Sequence, residues 1–207
     1  MRFLSLCLLL LLTTCQDPAA TTTADSEPTV TPTDLQPADD PLITAIRRRT
    51  ASIDEGRNSL DQTTVSIACD GIRGTVTVYR RAGEPTFVTT RYRDGEARVY
   101  EDDFYLATDT LFFARSTSYN LQFLDQGEAG RPNTKTTTAE YRYYLADGTV
   151  RRALRRKYDV YSLRDDNPNP DTLPMEDMPV TGAPPFRYAI ARAAIDSAAV
   201  PCTVFGK

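Results

Sequence analysis

The residue types that usually carry catalysis are scarce in this sequence. Histidine, the commonest general acid–base group, is absent from all 207 residues. The sequence also has no Gly-x-Ser-x-Gly motif, no phosphate-binding glycine loop and no Cys-x-x-Cys motif. Three consecutive carboxylates, Glu101, Asp102 and Asp103, could act as acid and base only in a cleft that gives them contrasting environments. We therefore predict that the protein is not an enzyme.

An acidic segment near the C-terminus has the spacing of a calcium loop. Asp165, Asn167, Asn169 and Glu176 occupy the first, third, fifth and twelfth positions of the EF-hand pattern. The sixth position requires a glycine with positive φ, but here it is Pro170, whose φ is fixed at about −65°. We predict a solvated acidic loop, without a metal or a cofactor. The alternative is a looser calcium site made from Asp165, Asp166, Asp171, Glu176 and Asp177.

Side chains suited to binding are more abundant than catalytic ones. The chain has 11 tyrosines and 8 phenylalanines, which could line a pocket for an apolar ligand, although such residues more often form cross-strand packing pairs. The arginines of residues 151–157 could bind phosphates or polyanions, or could keep an edge strand soluble. A net charge of −4 does not favour nucleic acid as a partner. The candidate ligand or partner surface comprises Tyr92, Tyr100, Tyr105, Phe113, Tyr143, Arg151 and Arg155.

The N-terminus has the pattern of an export signal. Arg2 precedes an apolar run over residues 3–12, which is too short for a membrane span because a spanning helix needs about 20 apolar residues. We predict that residues 1–14 are a cleaved signal peptide. Residues 12–15, LTTC, resemble the lipobox of bacterial lipoproteins, and this resemblance implies that Cys15 becomes the lipidated first residue. The alternative is an ordinary signal peptide with a chance cysteine.

Two cysteines remain for the folded part of the chain. Cys7 belongs to the predicted signal peptide and Cys15 to the lipid anchor, which leaves Cys69 and Cys202. In an exported protein such a pair most often forms a disulfide. We therefore predict a bond between Cys69 and Cys202, with two unpaired buried thiols as the alternative.

The remaining pattern indicates an α+β fold. Residues 15–41 are rich in threonine, proline and aspartate, which predicts a disordered linker. Helical apolar spacing follows Asp40-Pro41, and from Thr63 the apolar period becomes two. We predict an N-terminal helix packed on an antiparallel meander of about seven strands within residues 42–162, with the other sheet face open to solvent. Residues 163–207 are predicted to form an irregular excursion and a short C-terminal helix on the same domain.

Two segments of the predicted meander read as copies of one hairpin. Phe104–Arg115 and Tyr143–Leu154 each place an aromatic pair before Leu-Ala, a polar turn and a second run. Thr149–Ser162 also fits a helical stripe, since arginine, alanine and leucine are good helix formers. We predict a strand there, because Asp147-Gly148 favours a type I′ turn with an immediate return.

The combination of lipobox, linker, helix and repeated hairpins resembles small lipoproteins of uncharacterised function from Bacteroidetes. The residues that carry this likeness are Asp94-Gly95, Phe104–Ala114 with Tyr119-Asn120, and Glu140–Val150. The resemblance implies a body similar to β-lactamase-inhibitor proteins, which bind other proteins through a sheet face. It implies no catalytic residue.

These observations lead to one expected function and one alternative. We expect a lipid-anchored protein of the cell envelope, at the outer membrane rather than the inner one, that binds a protein or glycan partner through its sheet face. The alternative is a periplasmic or outer-membrane carrier that holds an apolar ligand between the helix and a curved sheet. A carrier needs an empty, aromatic-lined cavity, whereas a binding module has that space filled.

Overall fold

The computed structural model describes residues 40–124, 127, 130–185 and 187–206. The chain divides into two units, Met1–Thr33 and Asp34–Lys207, and all of the described residues belong to the second. The predicted signal peptide, the proposed lipidation site at Cys15 and the linker up to residue 39 lie outside the described residues. Among the described residues, no helix is long and apolar enough to cross a bilayer.

The described chain forms one antiparallel sheet with a helix before it and a helix after it. The elements are α1 Pro41–Gly56, β1 Asp61–Cys69, β2 Ile72–Arg81, β3 Glu84–Asp94, β4 Arg98–Ala107, β5 Thr110–Phe123, β6 Thr134–Ala146, β7 Thr149–Tyr161, β8 Glu176–Met178 and α2 Tyr188–Ser197. Neighbouring strands in the sheet are also neighbours in sequence, from β1 to β8. The predicted α+β class and meander topology are therefore confirmed.

The helix α1 begins where the sequence predicts. The Asp40 side chain accepts a hydrogen bond from the Leu42 amide at 2.9 Å, and Pro41 occupies the first helical position, where a proline loses no hydrogen bond. Ile43, Ile46 and Ile53 are the buried residues of this helix. Their helical spacing gives α1 one apolar stripe, which packs on the sheet.

The two helices lie on opposite faces of the sheet. The face that α1 covers, here called the α1 face, contributes Phe87, Tyr105 and Tyr144 to the cluster around α1. The opposite α2 face contributes Phe104 and Leu106 to the cluster around α2. The prediction that the face away from α1 is open is therefore wrong for the part that α2 covers. Consecutive residues of β4 are buried because each face has its own helix.

The hairpins β4–β5 and β6–β7 share one irregularity, as expected for copies of one plan. The register shifts between Tyr105 and Leu106 in the first and between Tyr144 and Leu145 in the second. In the first hairpin the shift sends both Phe112 and its neighbour Phe113 towards the α1 cluster.

The segment after the β6–β7 turn is a strand, as predicted. Asp147 and Gly148 have φ values of 51° and 71°, and a type I′ turn requires positive φ at both central residues. Thr149–Tyr161 then pairs with β6 as β7. The helical alternative for this segment is therefore wrong.

The C-terminal region is less irregular than predicted. Glu176–Met178 forms an eighth strand that pairs with Ala153–Arg155 of β7. Beyond α2, the sulfur atoms of Cys69 and Cys202 lie 2.15 Å apart, at disulfide distance, as predicted for this pair. This bond ties the C-terminal segment to the end of β1.

Candidate functional site

A charged groove lies on the part of the α1 face that α1 leaves uncovered. Alternate residues of β3 to β7 point into it, since side chains of a strand alternate between the two faces. The groove encloses about 320 Å³, and Thr89, Thr117, Tyr119 and Tyr158 supply its uncharged walls. Its charged members are Arg91, Glu101, Asp103, Arg115, Glu140, Arg142, Arg156 and Asp171.

Glu140 is the most enclosed acid of the groove, with 10% of its side chain exposed. Its Oε1 accepts a hydrogen bond from Nε of Arg142 at 2.8 Å. Its Oε2 accepts two from Arg156, from Nε at 2.8 Å and from Nη2 at 2.6 Å. Burial acts to raise the pKa of Glu140, but the two guanidinium groups outweigh burial and hold that pKa below its ordinary value. The carboxylate therefore stays ionised and fixes both arginines.

The sheet register brings these partners together. Glu140 and Arg142 are two residues apart on β6 and so share a face, while Arg156 lies directly opposite Glu140 on β7. The backbone carbonyl of Pro170 accepts a further hydrogen bond from Nη1 of Arg156. Each of these charged groups is thus oriented by a strand position and by at least one partner.

The same cross-strand arrangement continues towards β3. Arg115 lies opposite Asp103 in the β4–β5 register and donates from Nε to its Oδ2 at 3.2 Å. Arg91 lies opposite Glu101 in the β3–β4 register, with 3.7 Å between Nε and Oε1, and its side chain is 70% exposed. The charged pairs therefore become looser and more exposed towards the β3 side.

The groove is formally neutral, because its four arginines balance its four acidic residues. It offers forked guanidinium donors and carboxylate acceptors side by side. Burial, and then the charge of Glu101, raise the pKa of Tyr119, so its hydroxyl stays protonated and can donate. Such a lining suits a polar ligand or partner that carries both donors and acceptors, and it does not select for a polyanion.

The aromatic residues of the predicted surface do not come together. Tyr92 and Tyr105 are 6% and 2% exposed, so neither belongs to an accessible surface. Tyr92, Tyr100 and Tyr143 belong to the α2-face cluster, whereas Tyr105 and Phe113 belong to the cluster under α1. Ring centroids of Tyr92 and Tyr100 are 4.9 Å apart, as expected for cross-strand packing pairs.

The arginines of residues 151–157 are divided between the faces, as their alternation predicts. Arg151 sits at the irregularity of the β6–β7 register and is exposed. Arg155 belongs to the α2 face, and its Nε lies 3.7 Å from Glu176 of β8. Arg152 and Arg156 point to the opposite face. Of these two, Arg156 is the one that lines the groove. The predicted surface that combined Arg151 and Arg155 with the aromatic residues is therefore not assembled.

The three consecutive carboxylates are also separated by the strand. Glu101 and Asp103 point into the charged groove. Asp102 points to the α2 face, where its Oδ1 lies 2.9 Å from Nη2 of Arg187 and its Oδ2 accepts from the Thr90 hydroxyl at 3.1 Å. Burial raises the pKa of Asp102, while the charge of Arg187 opposes that rise. This pair joins the start of α2 to the centre of the sheet.

Four charged residues of the groove were missed at the sequence level: Arg91, Arg115, Glu140 and Arg142. The available signal was the alternation of Glu140 and Arg142 around an aromatic residue, which marks one polar strand face. The acidic segment 165–177 contributes Asp171 to the groove. Among the described residues, no group of three or more histidine, cysteine, aspartate or glutamate side chains is placed to hold a metal ion.

A second, more apolar cleft of about 430 Å³ lies beside α1. Leu42, Ala45 and Ile46 of α1 form one wall, and the ends of the β4–β5 and β6–β7 hairpins form the other. The space directly between α1 and the sheet is filled, because Phe87 and Tyr144 are 0% and 1% exposed there. The cleft therefore lies beside α1, at the hairpin ends of the sheet, and does not extend between the helix and the sheet.

Comparisons with protein-family models, with curated proteins and with solved structures found no match for this chain.

Proposed function

We propose that this chain is a lipid-anchored protein of the cell envelope that binds a protein or glycan partner, without catalysis, through the charged groove. The observation that carries the proposal is the row of cross-strand ion pairs from β3 to β7, whose positions are set by the strand register. Groups that are already fixed lose little conformational freedom when a partner binds. The resemblance of the N-terminus to a lipoprotein signal supports the anchor at Cys15.

The chemistry of the groove supports a polar partner. Arginine forks bind carboxylates and other planar acceptors, and carboxylates accept from amides and hydroxyl groups. The rings of Tyr119 and Tyr158 add flat apolar surface beside these groups. Peptide segments and sugars both present this mixture of donors, acceptors and apolar patches.

The test is to fill the groove and measure capture of a partner from envelope extracts. Thr117 lies in the groove on β5, and Thr117→Trp would occupy its space. Thr63 is an exposed threonine of β1 that lies on the opposite face of the sheet, so Thr63→Trp is the matched control. We expect at least about a tenfold loss of affinity, equivalent to about 1.4 kcal/mol, for Thr117→Trp alone.

The nature of the partner follows from treating the extract before capture. Protease treatment should abolish capture if the partner is a protein, and periodate should abolish it if the partner is a glycan. A partner that both tryptophan variants bind as tightly as the wild type would refute the groove as the binding site.

The apolar cleft supports a second candidate, a carrier of apolar ligands. Its volume of about 430 Å³ could hold part of an acyl chain. Ala45→Trp would fill the cleft, while Thr44→Trp places the same side chain at an exposed position of α1 that does not line it. Co-purified lipid that is lost only in Ala45→Trp would favour the carrier, and absence of lipid from the wild type would count against it.

The anchor has its own test. Cells that are fed an alkyne-tagged fatty acid should label the wild type, and Cys15→Ser should remove the label. Persistent labelling of Cys15→Ser would contradict a lipid at that residue.

A further inference from the structure

The strand β1 has an open edge. It is the end strand of the sheet, and β2 is the strand that pairs with it among the described residues. Cys69 and Ile72 pair across a two-residue turn, so in this antiparallel ladder the alternate residues of β1 point their backbone groups away from β2. These residues are Gln62, Thr64, Ser66 and Ala68, and all four are exposed.

The opposite edge of the sheet is protected in several ways. Its last strand, β8, has only three residues. Arg155 and Lys157 place exposed charges along β7. The Asn167 side chain covers the end of β7, accepting from the Tyr161 amide at 2.7 Å and donating to the Tyr161 carbonyl at 2.8 Å. Short strands, charges and covering groups are the devices that prevent edge-to-edge pairing.

The strand β1 has none of these devices over residues 62–67. Its sequence there, QTTVSI, contains no charged residue and no proline. At the end of the strand, Sγ of Cys202 lies 3.9 Å from the Ala68 carbonyl oxygen, so the C-terminal segment covers the edge only there. Its register with β2 is unbroken from Asp61 to Cys69, so no bulge turns the edge away. The strand has nine residues, and its threonine, valine and isoleucine side chains favour β structure. A regular strand of this kind can pair with a further strand along its open edge.

We propose that this edge is the interface of a homodimer, in which β1 of one copy pairs antiparallel with β1 of a second copy. A two-fold axis at Val65 pairs residues 63–67 of the two copies along the uncovered part of the edge and keeps each side chain on its own sheet face. Thr64 then lies opposite Ser66 of the partner copy, and Thr63 lies opposite Ile67 of the partner copy. The two sheets join into one.

Charge supports a second copy as the occupant of this edge. In this register the two Asp61 residues lie at opposite ends of the interface, each facing Cys69 of the other copy. No like charges meet across the axis, although like charges directly opposite would be destabilising. The strand is thus compatible with itself along residues 63–67.

The experiment measures the mass of the purified full-length protein in density-matched detergent over a range of concentrations. Ser66→Pro removes an amide hydrogen that points away from β2, so the β1–β2 ladder keeps its bonds while pairing with a second copy is blocked. We expect the wild type to reach twice the mass of one chain and Ser66→Pro to remain at the mass of one chain.

A second variant covers the case in which Ser66→Pro fails to fold. Thr64→Lys/Ser66→Lys places like charges opposite each other at the axis. Thr181→Lys/Glu96→Gln changes the net charge by the same amount at exposed positions away from the edge and should leave the dimer intact. Loss of the dimer in the edge variants alone supports the proposal. A wild type that stays at the mass of one chain, or a dimer that persists in both edge variants, overturns it.

Discussion

The ion pair between Asp102 and Arg187 offers the sharpest test of how α2 is attached to the sheet. The Asp102 side chain is 0% exposed and that of Arg187 is 8% exposed, with 2.9 Å between Oδ1 and Nη2. The Arg187 guanidinium also lies 4.9 Å from the centre of the Tyr100 ring. Arg187→Met retains an apolar stem but removes the charge, and so leaves a buried carboxylate without its counter-ion.

The expected cost at neutral pH is about 3–5 kcal/mol of unfolding free energy, as for other buried pairs that lose one partner. The hydrogen bond from Thr90 at 3.1 Å remains, but it does not replace a full positive charge. Arg187→Met/Asp102→Asn removes both charges and should recover most of the loss. Arg192→Met is the matched control, because Arg192 is 30% exposed and pairs with Asp109 and Asp196 on the surface, where each such pair contributes about 0–1 kcal/mol.

The loss should depend on pH with a definite sign. Burial already raises the pKa of Asp102 in the folded protein, and Arg187 opposes that rise, so Arg187→Met should raise this pKa further. A carboxyl whose pKa is higher in the folded than in the unfolded state makes folding less favourable as pH rises. The deficit of Arg187→Met should therefore be full at pH 7 and shrink as the pH falls towards about 4.

The assay is urea unfolding of the wild type and the three variants at neutral and at acidic pH. Tyrosine fluorescence can report it, since the chain has 11 tyrosines and no tryptophan. A deficit below about 1 kcal/mol at pH 7 would contradict the buried pair. A deficit of full size that does not change on acidification would show that ionisation of Asp102 is not its cause.

Two further predictions concern the sheet and its covalent link. In Gly74→Ala the new Cβ would lie 2.1 Å from the Arg91 carbonyl oxygen, so β2 and β3 would have to move apart. We expect the unfolding free energy measured in urea to fall by about 3 kcal/mol or more. An unchanged urea midpoint would contradict the close approach of the two strands. Replacing Cys69 and Cys202 by serine should lower the unfolding free energy by about 2–5 kcal/mol. Reduction of the wild type should match the serine variant in its melting temperature, and an equal melting temperature before and after reduction would refute a stabilising bond.

Much of the fold could be predicted because its elements carry local signals. Asp40-Pro41 predicts the start of α1, and Asp147-Gly148 predicts the return into β7. The second covered face was missed although a signal was present: Phe104, Tyr105 and Leu106 are consecutive apolar residues, and a strand needs this pattern when both its faces are buried. The sequence predicts the C-terminal helix that the structure shows as α2, but it does not indicate the sheet face on which this helix packs.

The charged groove was beyond prediction for a different reason. The alternation of Glu140 with Arg142 indicates that two charges share a strand face. Their partner Arg156 is known only from the register between β6 and β7, and the irregularity at Tyr144 shifts that register by one residue. A one-residue shift moves every side chain to the other face, so cross-strand pairs cannot be read from separate strands.

The bond between Cys69 and Cys202 also affects how the protein would respond to proteases. It joins residues 133 positions apart, on either side of the polar segment that connects β7 to α2. A cut in that segment would produce two polypeptides that still migrate as one species until a reductant is added. Under oxidising conditions a clipped molecule would therefore retain its second helix and could pass as intact.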